Sequence, residues 1–245
     1  EAAKHWWPQV ALKSFLQFTG DLIVLHHVLF IGNSHTYYNY MPQMLSMLVK
    51  SENRGFEPTI DQCTGEGAGL AWHWKNAPTR NALREKPWDY VVLQDRSGGP
   101  LEEPDSFTKH AGLLNTEIQK QGAKTVLFLT WAHRSRPDTQ AVLTHIYKAA
   151  AQKFNADLAP VGLAWESIHR MIPEIELYHQ DGRHANPIGS YLSACVFYSV
   201  MLNTSPEGLP GRFNYKGKVW VDLEKGKASL LQKVAWETVS SLQTL

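Results

Sequence analysis

Short, wholly apolar runs alternate along this chain with segments whose apolar residues recur every three or four positions, and few folds accommodate that combination. "VLFI" at 28–31, "YVVL" at 90–93 with its approach "WD", "VLFL" at 126–129 and the weaker "LAPVGLA" from Leu158 read as strands. A strand covered by helices on both faces has no polar side to display, so its sequence is continuous rather than alternating. "PTIDQC" at 58–63 is partly polar and suits an edge strand. Helical spacing fills the intervals at 41–50, 70–84, 107–121 and 139–154. The alternation predicts an α/β fold, three layers deep, around a mostly parallel, five-stranded, doubly wound sheet.

Beyond these units, "PIGSYLSACVFYSVM" at 187–201 carries its Pro in the first turn, where the missing amide costs a helix nothing, and reads as a buried helix. Residues 204–224 are rich in turn formers and read as a surface excursion, and "ASLLQKVAWETVSSL" closes the chain as an amphipathic helix. "WWPQVALKSFLQF" fits either a helix on the back of the sheet or an extension. A length of 245 residues suits one domain, with a core at about 26–203, an N-terminal extension at 1–25 and a C-terminal excursion and helix at 204–245.

A formal charge of +1 without long blocks of like sign leaves no electrostatic footprint for nucleic acid or an acidic membrane, so small molecules are the expected partners. Cys63 and Cys195 are far apart and outside any Cys-x-x-Cys spacing, which excludes a zinc knuckle or a disulfide scaffold and leaves a single bridge unsupported. "GEGAGL" fails the dinucleotide fingerprint because Leu70 stands where its last glycine belongs, and no phosphate loop or His-Glu-x-x-His helix occurs. No metal or cofactor is expected. His26 and His27, adjacent on a strand, point to opposite faces and make poor joint ligands. Unbroken apolar stretches reach five residues at most, well short of a membrane span. The chain opens "EAAK" without Met, which leaves export open as a localisation.

Ligands of an open parallel sheet bind just past the carboxyl ends of its strands. The four exits here read "GNSHT" from Gly32, "TGEGAG" from Thr64, "QDRSGG" from Gln94 and "TWAH" from Thr130, each polar or rich in glycine. Ser34 fits two roles, a helix cap or a nucleophile, and the two are compatible because amides at a helix start point where an oxyanion would form. Among eleven histidines, context favours His184 as the base. In "QDGRHANP" Asp181 stands three residues before it, where a carboxylate can accept from Nδ1 and leave Nε2 for a serine proton. A plain surface turn reads equally from Asp-Gly. His35, beside Ser34, is expected to project away from the cleft more easily than into it.

As a set, "FIGNSHTYYNYMPQML" from Phe30 and "DGRHANPIGSYLSACVFY" from Asp181 resemble the SGNH hydrolases, the esterase superfamily also called GDSL-like, in particular bacterial members with such first and last blocks. The resemblance covers about 28–203. It implies the flavodoxin-like SGNH hydrolase fold, Ser34 as nucleophile, His184 as general base, Asp181 as its orienting acid, and an oxyanion hole formed by the Ser34 amide and a glycine amide. Gly65, Gly67 and Gly69 are available for the latter, and Gly67 is favoured because it precedes Ala68-Gly69 and a helix start, as the family glycine does. The family's third donor, an Asn side chain, has no counterpart in "VVLQDRSGGP". Gln94 is its nearest chemical substitute, with Arg96 second, and an absent donor would cost about 10²- to 10³-fold in rate.

Tyr37, Tyr38, Tyr40, Trp72, Trp74 and Trp131 follow strand exits, where aromatic faces suit sugar or aryl groups but also ordinary packing. Packing is the expectation for Trp72 or Trp74, while Trp131, with His133 and Arg134, is the expected pocket aromatic. Asn33 and Arg96 join it as expected substrate contacts. The resulting expectation is a serine esterase removing a short acyl group, acetyl above all, from an O-acetylated carbohydrate. Alternatives are an aryl or lipid esterase, an acyltransferase using the same residues, and a noncatalytic carbohydrate-binding module on the same fold.

Overall fold

The computed structural model describes residue 25, residues 27–52 and residues 57–243, so the expectations for 1–24 and His26 lie outside the described residues. In chain order it runs β1 (His27–Gly32), α1 (Ser34–Tyr37), α2 (Met41–Ser51), β2 (Thr59–Thr64), α3 (Leu70–Lys75), α4 (Ala77–Glu85), β3 (Tyr90–Leu93), α5 (Gly99–Glu102), α6 (Pro104–Lys120) and β4 (Lys124–Phe128). Then come α7 (Gln140–Phe154), β5 (Asp157–Ala159), α8 (Val161–Met171), α9 (Pro187–Leu202), β6 (Arg212–Tyr215), β7 (Lys218–Asp222) and α10 (Lys225–Gln243). β1 to β5 form one sheet in the order β2-β1-β3-β4-β5, every pair parallel.

Successive residues of a strand face opposite sides of its sheet, and each side here is covered. Val28, Phe30, Val92, Val126 and Phe128 pack against α2, α8, α9 and α10. Leu29, Ile31, Val91, Leu93 and Leu127 pack against α3, α4, α6 and α7. The result is the three-layer α/β/α architecture that the continuous apolar runs demand. α9 is buried around most of its circumference, from Gly189 to Leu202, which explains why its sequence lacks an amphipathic stripe.

β2 is the edge strand expected at 58–63, and Gln62 on it is exposed. Three readings are corrected. "LAPVGLA" is a strand only over Asp157–Ala159, and after Pro160 it becomes the first turn of α8; a short apolar run does not by its periodicity distinguish strand from helix. The helix read at 70–84 is two, because Pro78 cannot sit inside a helix and Asn76 caps a new one, its Oδ1 accepting from the Thr79 amide at 3.0 Å. The excursion at 204–224 contains the antiparallel hairpin β6–β7, turned by Lys216 and Gly217, both at positive φ, as a tight two-residue hairpin turn requires. Cys63 and Cys195 are free. No helix among the described residues is long and apolar enough to cross a membrane.

The strand order reverses direction at β1, so the loops leaving β1 and β3 diverge at their carboxyl ends and open a crevice between them. The four polar exits converge there.

Candidate active site

β1 ends at Gly32, whose carbonyl accepts from the Gly65 amide at 3.2 Å and from His73 Nε2 at 2.9 Å, tying the first exit to the second and to α3. A side chain at Gly32 would lie 2.6 Å from Thr36 Oγ1, too close for any residue but glycine. Asn33, not Ser34, caps α1: its Oδ1 accepts from the His35 amide at 3.1 Å and its carbonyl from the Thr36 amide at 2.9 Å. Relieved of capping, Ser34 stands first in the helix with its hydroxyl turned into the crevice. Its own amide has no partner among the described residues.

His184 Nε2 lies 2.8 Å from Ser34 Oγ, across 150 residues of sequence, and His184 Nδ1 lies 2.6 Å from Asp181 Oδ2. Asp181 Oδ1 accepts from the backbone amides of Arg183 and His184 at 2.8 and 2.9 Å. Partial burial pushes the Asp181 carboxyl up, but the His184 hydrogen bond and these two amides outweigh it and hold it well below the usual carboxylate range. An ionised carboxylate only accepts, so Nδ1 carries the imidazole proton and Nε2 is left to accept from the serine. A second imidazole, His179 Nδ1, stands 3.4 Å from the same Asp181 oxygen.

The loop carrying Asp181 and His184 is fixed from several sides. Tyr178 and Ala185 form an isolated antiparallel bridge, and the His179 amide donates to the His184 carbonyl at 2.8 Å. Trp131 Nε1 donates to the Arg183 carbonyl at 2.8 Å, and the Arg134 amide to that of Gly182 at 2.9 Å. Asn39 Nδ2 donates to the Ala185 carbonyl at 2.9 Å. Asn39 and Tyr40 both take positive φ, and this sharp turn delivers Tyr38 onto His184, the rings stacked at 4.2 Å and 12°. Positive φ is uncommon for Asn and rarer still for a bulky Tyr.

Gly67, the glycine favoured as a donor, lies at the crevice wall in a turn closed by the Ala68 amide on the Gly65 carbonyl at 3.2 Å. Its φ of +61 favours glycine, and no atom lies within 4 Å of where a Cβ would stand. The cleft has a volume of about 300 Å³ and holds Ser34, His184, Gly67, Tyr37, Tyr38, Arg96, Ser97, His133 and Arg183 on its walls. Among the described residues, none that lines it is aliphatic. Among the described residues no group of His, Cys, Asp and Glu is placed to hold a metal ion.

Several expectations change here. Gln94 does not reach the cleft: it is fully buried, its Oε1 accepts from the Asn33 amide at 2.8 Å and from Thr36 Oγ1 at 3.0 Å, and its Nε2 donates to the Asp95 carbonyl. Both ends of its amide are therefore spent on holding the β1 exit. Trp131 is also core, 1% exposed and stacked on Trp165 at 3.9 Å, so it supports the histidine loop from below instead of meeting substrate. Asn33 borders the cleft, but its Nδ2 donates to the Ala68 carbonyl at 2.9 Å, a brace between the first two exits. Arg96 lines the cleft with its guanidinium tied to Glu102 at 2.6 Å and Glu103 at 3.4 Å. Trp72 is exposed and Trp74 packs against the core beside Arg80.

His35 does not project away. It is buried in the cleft wall with its ring 5.2 Å from that of His184 and 5.1 Å from that of Trp131. Burial, then the nearby His184 and His133, push its imidazole down to about 3, so it is neutral at physiological pH. His133, expected beside Trp131 in the pocket, does reach the cleft, whereas Ser97, His179 and Arg183 are cleft or loop residues that sequence reasoning missed. For His179 a signal existed, its place two residues before Asp181, whereas Ser97 and His133 meet only through the fold.

No protein-family model matches the chain, and no curated protein matches it by sequence. Among solved structures, a protein from Slackia heliotrinireducens assigned to the SGNH hydrolases is 29% identical, with a TM-score of 0.64 over 73% of this chain and 100% of that one. A DUF4886 family protein from Bacteroides uniformis shares the fold more extensively, with a TM-score of 0.72 at 18% identity over 89% of this chain and 95% of that one. The acetyl xylan esterase AlAXEase also shares it, with a TM-score of 0.60 at 18% identity over 71% and 98% of the two chains. With the sequence blocks at residues 30 and 181 brought face to face on this fold, the chain belongs to the SGNH/GDSL-like superfamily.

Proposed function

We propose that the protein is a serine carboxylic ester hydrolase that removes a short acyl group, acetyl above all, from an O-acetylated carbohydrate. The observation that carries this reading is the continuous relay from Ser34 Oγ through His184 to Asp181, with contacts of 2.8 and 2.6 Å. Ser34 Oγ attacks the ester carbonyl carbon while its proton passes to His184 Nε2, and the carbonyl electron pair moves onto oxygen. The amides of Ser34 and Gly67 receive that oxyanion. Collapse breaks the bond to the alcohol, which leaves with the proton held on His184. Water, deprotonated in turn by His184, then attacks the acyl-serine, and a second collapse frees the carboxylic acid and Ser34.

The cleft supports the substrate class. An acyl chain of any length needs apolar wall to leave water, at roughly 0.8 kcal/mol per buried methylene, and among the described residues no aliphatic side chain lines this cleft. Tyr37 and Tyr38 give flat faces with polar edges, and Arg183 gives donors, a set suited to hydroxyl-rich rings. The AlAXEase likeness agrees with an acetyl ester on a sugar.

The test is hydrolysis of 4-nitrophenyl esters and of acetylated sugars by the wild type, Ser34→Ala and His184→Ala. Each substitution is expected to lower kcat by about 10⁴-fold or more. Rates are expected to fall steeply as the acyl chain lengthens beyond acetyl, and acetylated sugars to exceed aryl acetates in kcat/KM. Turnover by Ser34→Ala near the wild-type rate contradicts the reaction. A preference for long acyl chains contradicts the substrate class.

A further inference from the structure

The esterase reading leaves the developing oxyanion with two backbone donors and no side-chain donor, because the residue best suited by chemistry, Gln94, is locked behind β1. The residues after it are also committed. Asp95 Oδ1 accepts from the Leu70 amide at 2.9 Å and from the Arg96 amide at 2.8 Å, bracing the second exit against the third. Arg96 is held by Glu102 and Glu103.

Ser97 comes next. It sits in the tight turn that opens α5, closed by the Gly99 amide on the Arg96 carbonyl at 2.8 Å, and it faces the same cleft as Ser34, Gly67 and His184. Its Oγ lies 3.0 Å from Nε2 of His133, another cleft residue, delivered by the exit of β4. The pair thus joins the third and fourth exits across the mouth of the site. Burial, with the Arg183 charge second, holds the His133 imidazole below its ordinary value, which favours its neutral form.

We propose that the Ser97 hydroxyl, oriented by His133, is the third oxyanion donor of this enzyme, doing the work of the side-chain amide that its third strand exit lacks. The proposal rests on the esterase reading above. It assigns the Nε2–H tautomer to His133: the ring donates to Ser97 Oγ, and the single hydroxyl proton is left to point into the cleft. A hydroxyl whose oxygen accepts from a neutral imidazole is a better donor than a free one, because hydrogen bonds in a chain polarise one another. Ser97 is then a catalytic residue, touching the reacting oxygen, and His133 a positioning residue that acts through it.

The experiment is steady-state hydrolysis of 4-nitrophenyl acetate by Ser97→Ala, Ser97→Thr, His133→Phe and the Ser97→Ala/His133→Phe double variant, with Ser34→Ala as reference. Binding of benzeneboronic acid, which forms a tetrahedral adduct on an active serine, is measured in parallel. Ser97→Ala is expected to lower kcat by about 10²-fold with KM within about twofold, and to weaken boronic acid binding, since the donor acts on the tetrahedral oxygen and not on the ground state. Ser97→Thr, which keeps the hydroxyl, recovers most of the rate. His133→Phe lowers kcat about tenfold alone and has no further effect in the Ser97→Ala background. A Ser97→Ala enzyme with wild-type kcat, beside an inactive Ser34→Ala, overturns the donor and leaves the esterase standing. Equal losses in Ser97→Ala and Ser97→Thr assign the effect to packing and overturn the donor as well. An active Ser34→Ala overturns the esterase reading and the donor with it.

Discussion

Asn33 and Ser34 divide two jobs that a single serine would otherwise share. A serine at a helix start spends its oxygen on capping amides, whereas here Asn33 caps and the Ser34 hydroxyl is left for His184. Asp181 makes a similar division: one oxygen accepts two backbone amides, which fixes the loop, and the other accepts from the imidazole. Because its folded-state pKa is depressed, the Asp181 carboxylate contributes stability above the ordinary carboxylate range, lost as pH falls through it. It therefore stays charged through the mildly acidic range and does not itself set the acid limb of the rate. Asp181→Asn removes the charge that fixes the tautomer and is expected to lower kcat by up to about 10⁴-fold while the protein still folds; kcat within tenfold of wild type counts against the orienting role. At this scale the sequence put Ser34, His184 and Asp181 forward through two motif blocks, and the fold brings their side chains together, but the places of Gln94, Trp131 and His35 were hidden. Each of them depends on which way one side chain points at a strand exit, and that is decided by partners far away in the sequence.

The segment from Tyr178 to Asn186 is an irregular element that works like a rigid one because other elements hold its carbonyls. Trp131 contributes from the exit of β4, its indole donating to Arg183 while its ring lies flat on Trp165 in α8. Trp131→Phe keeps a ring in the stack and removes the donor, so it is expected to cost about 1–3 kcal/mol of unfolding free energy in urea titrations. It should also lower kcat several-fold through a loosened His184; unchanged stability and rate together exclude Trp131 as a support. The regular elements were legible where periodicity is strong: β1, β3, β4, α2, α6, α7 and α9 fall where apolar runs and three- or four-residue spacings put them. α8 was not, because its first turn continues the apolar run of β5 through Pro160. The hairpin β6–β7 was not either, since Lys216-Gly217 lacks the Asn-Gly or Asp-Gly signature of such turns.

Across the whole molecule, one sheet order accounts for the cleft: the reversal at β1 gathers exits that the sequence scatters over about a hundred residues, and α9 returns the chain to bring the Asp181 loop alongside. The same burial that builds the cleft floor couples folding to pH. His35 sits near 3 in the folded protein against 6.5 when free, so on acidification the unfolded chain takes up a proton that the native state refuses. Stability then falls as pH drops from about 6.5 toward 3, by up to about 1.4 kcal/mol per pH unit. Urea titrations of His35→Phe across that range are expected to show a shallower loss than wild type, and equal slopes would show that His35 is not the coupled group.

On the esterase reading, the fold makes Ser34, alone among the serines, a nucleophile. Intact-protein and peptide mass spectrometry after brief exposure to a fluorophosphonate tests it most directly. One adduct per chain is expected, on Ser34, slowed by orders of magnitude in His184→Ala and absent from Ser34→Ala. A folded wild-type protein that takes no label, or takes it on another residue, contradicts it.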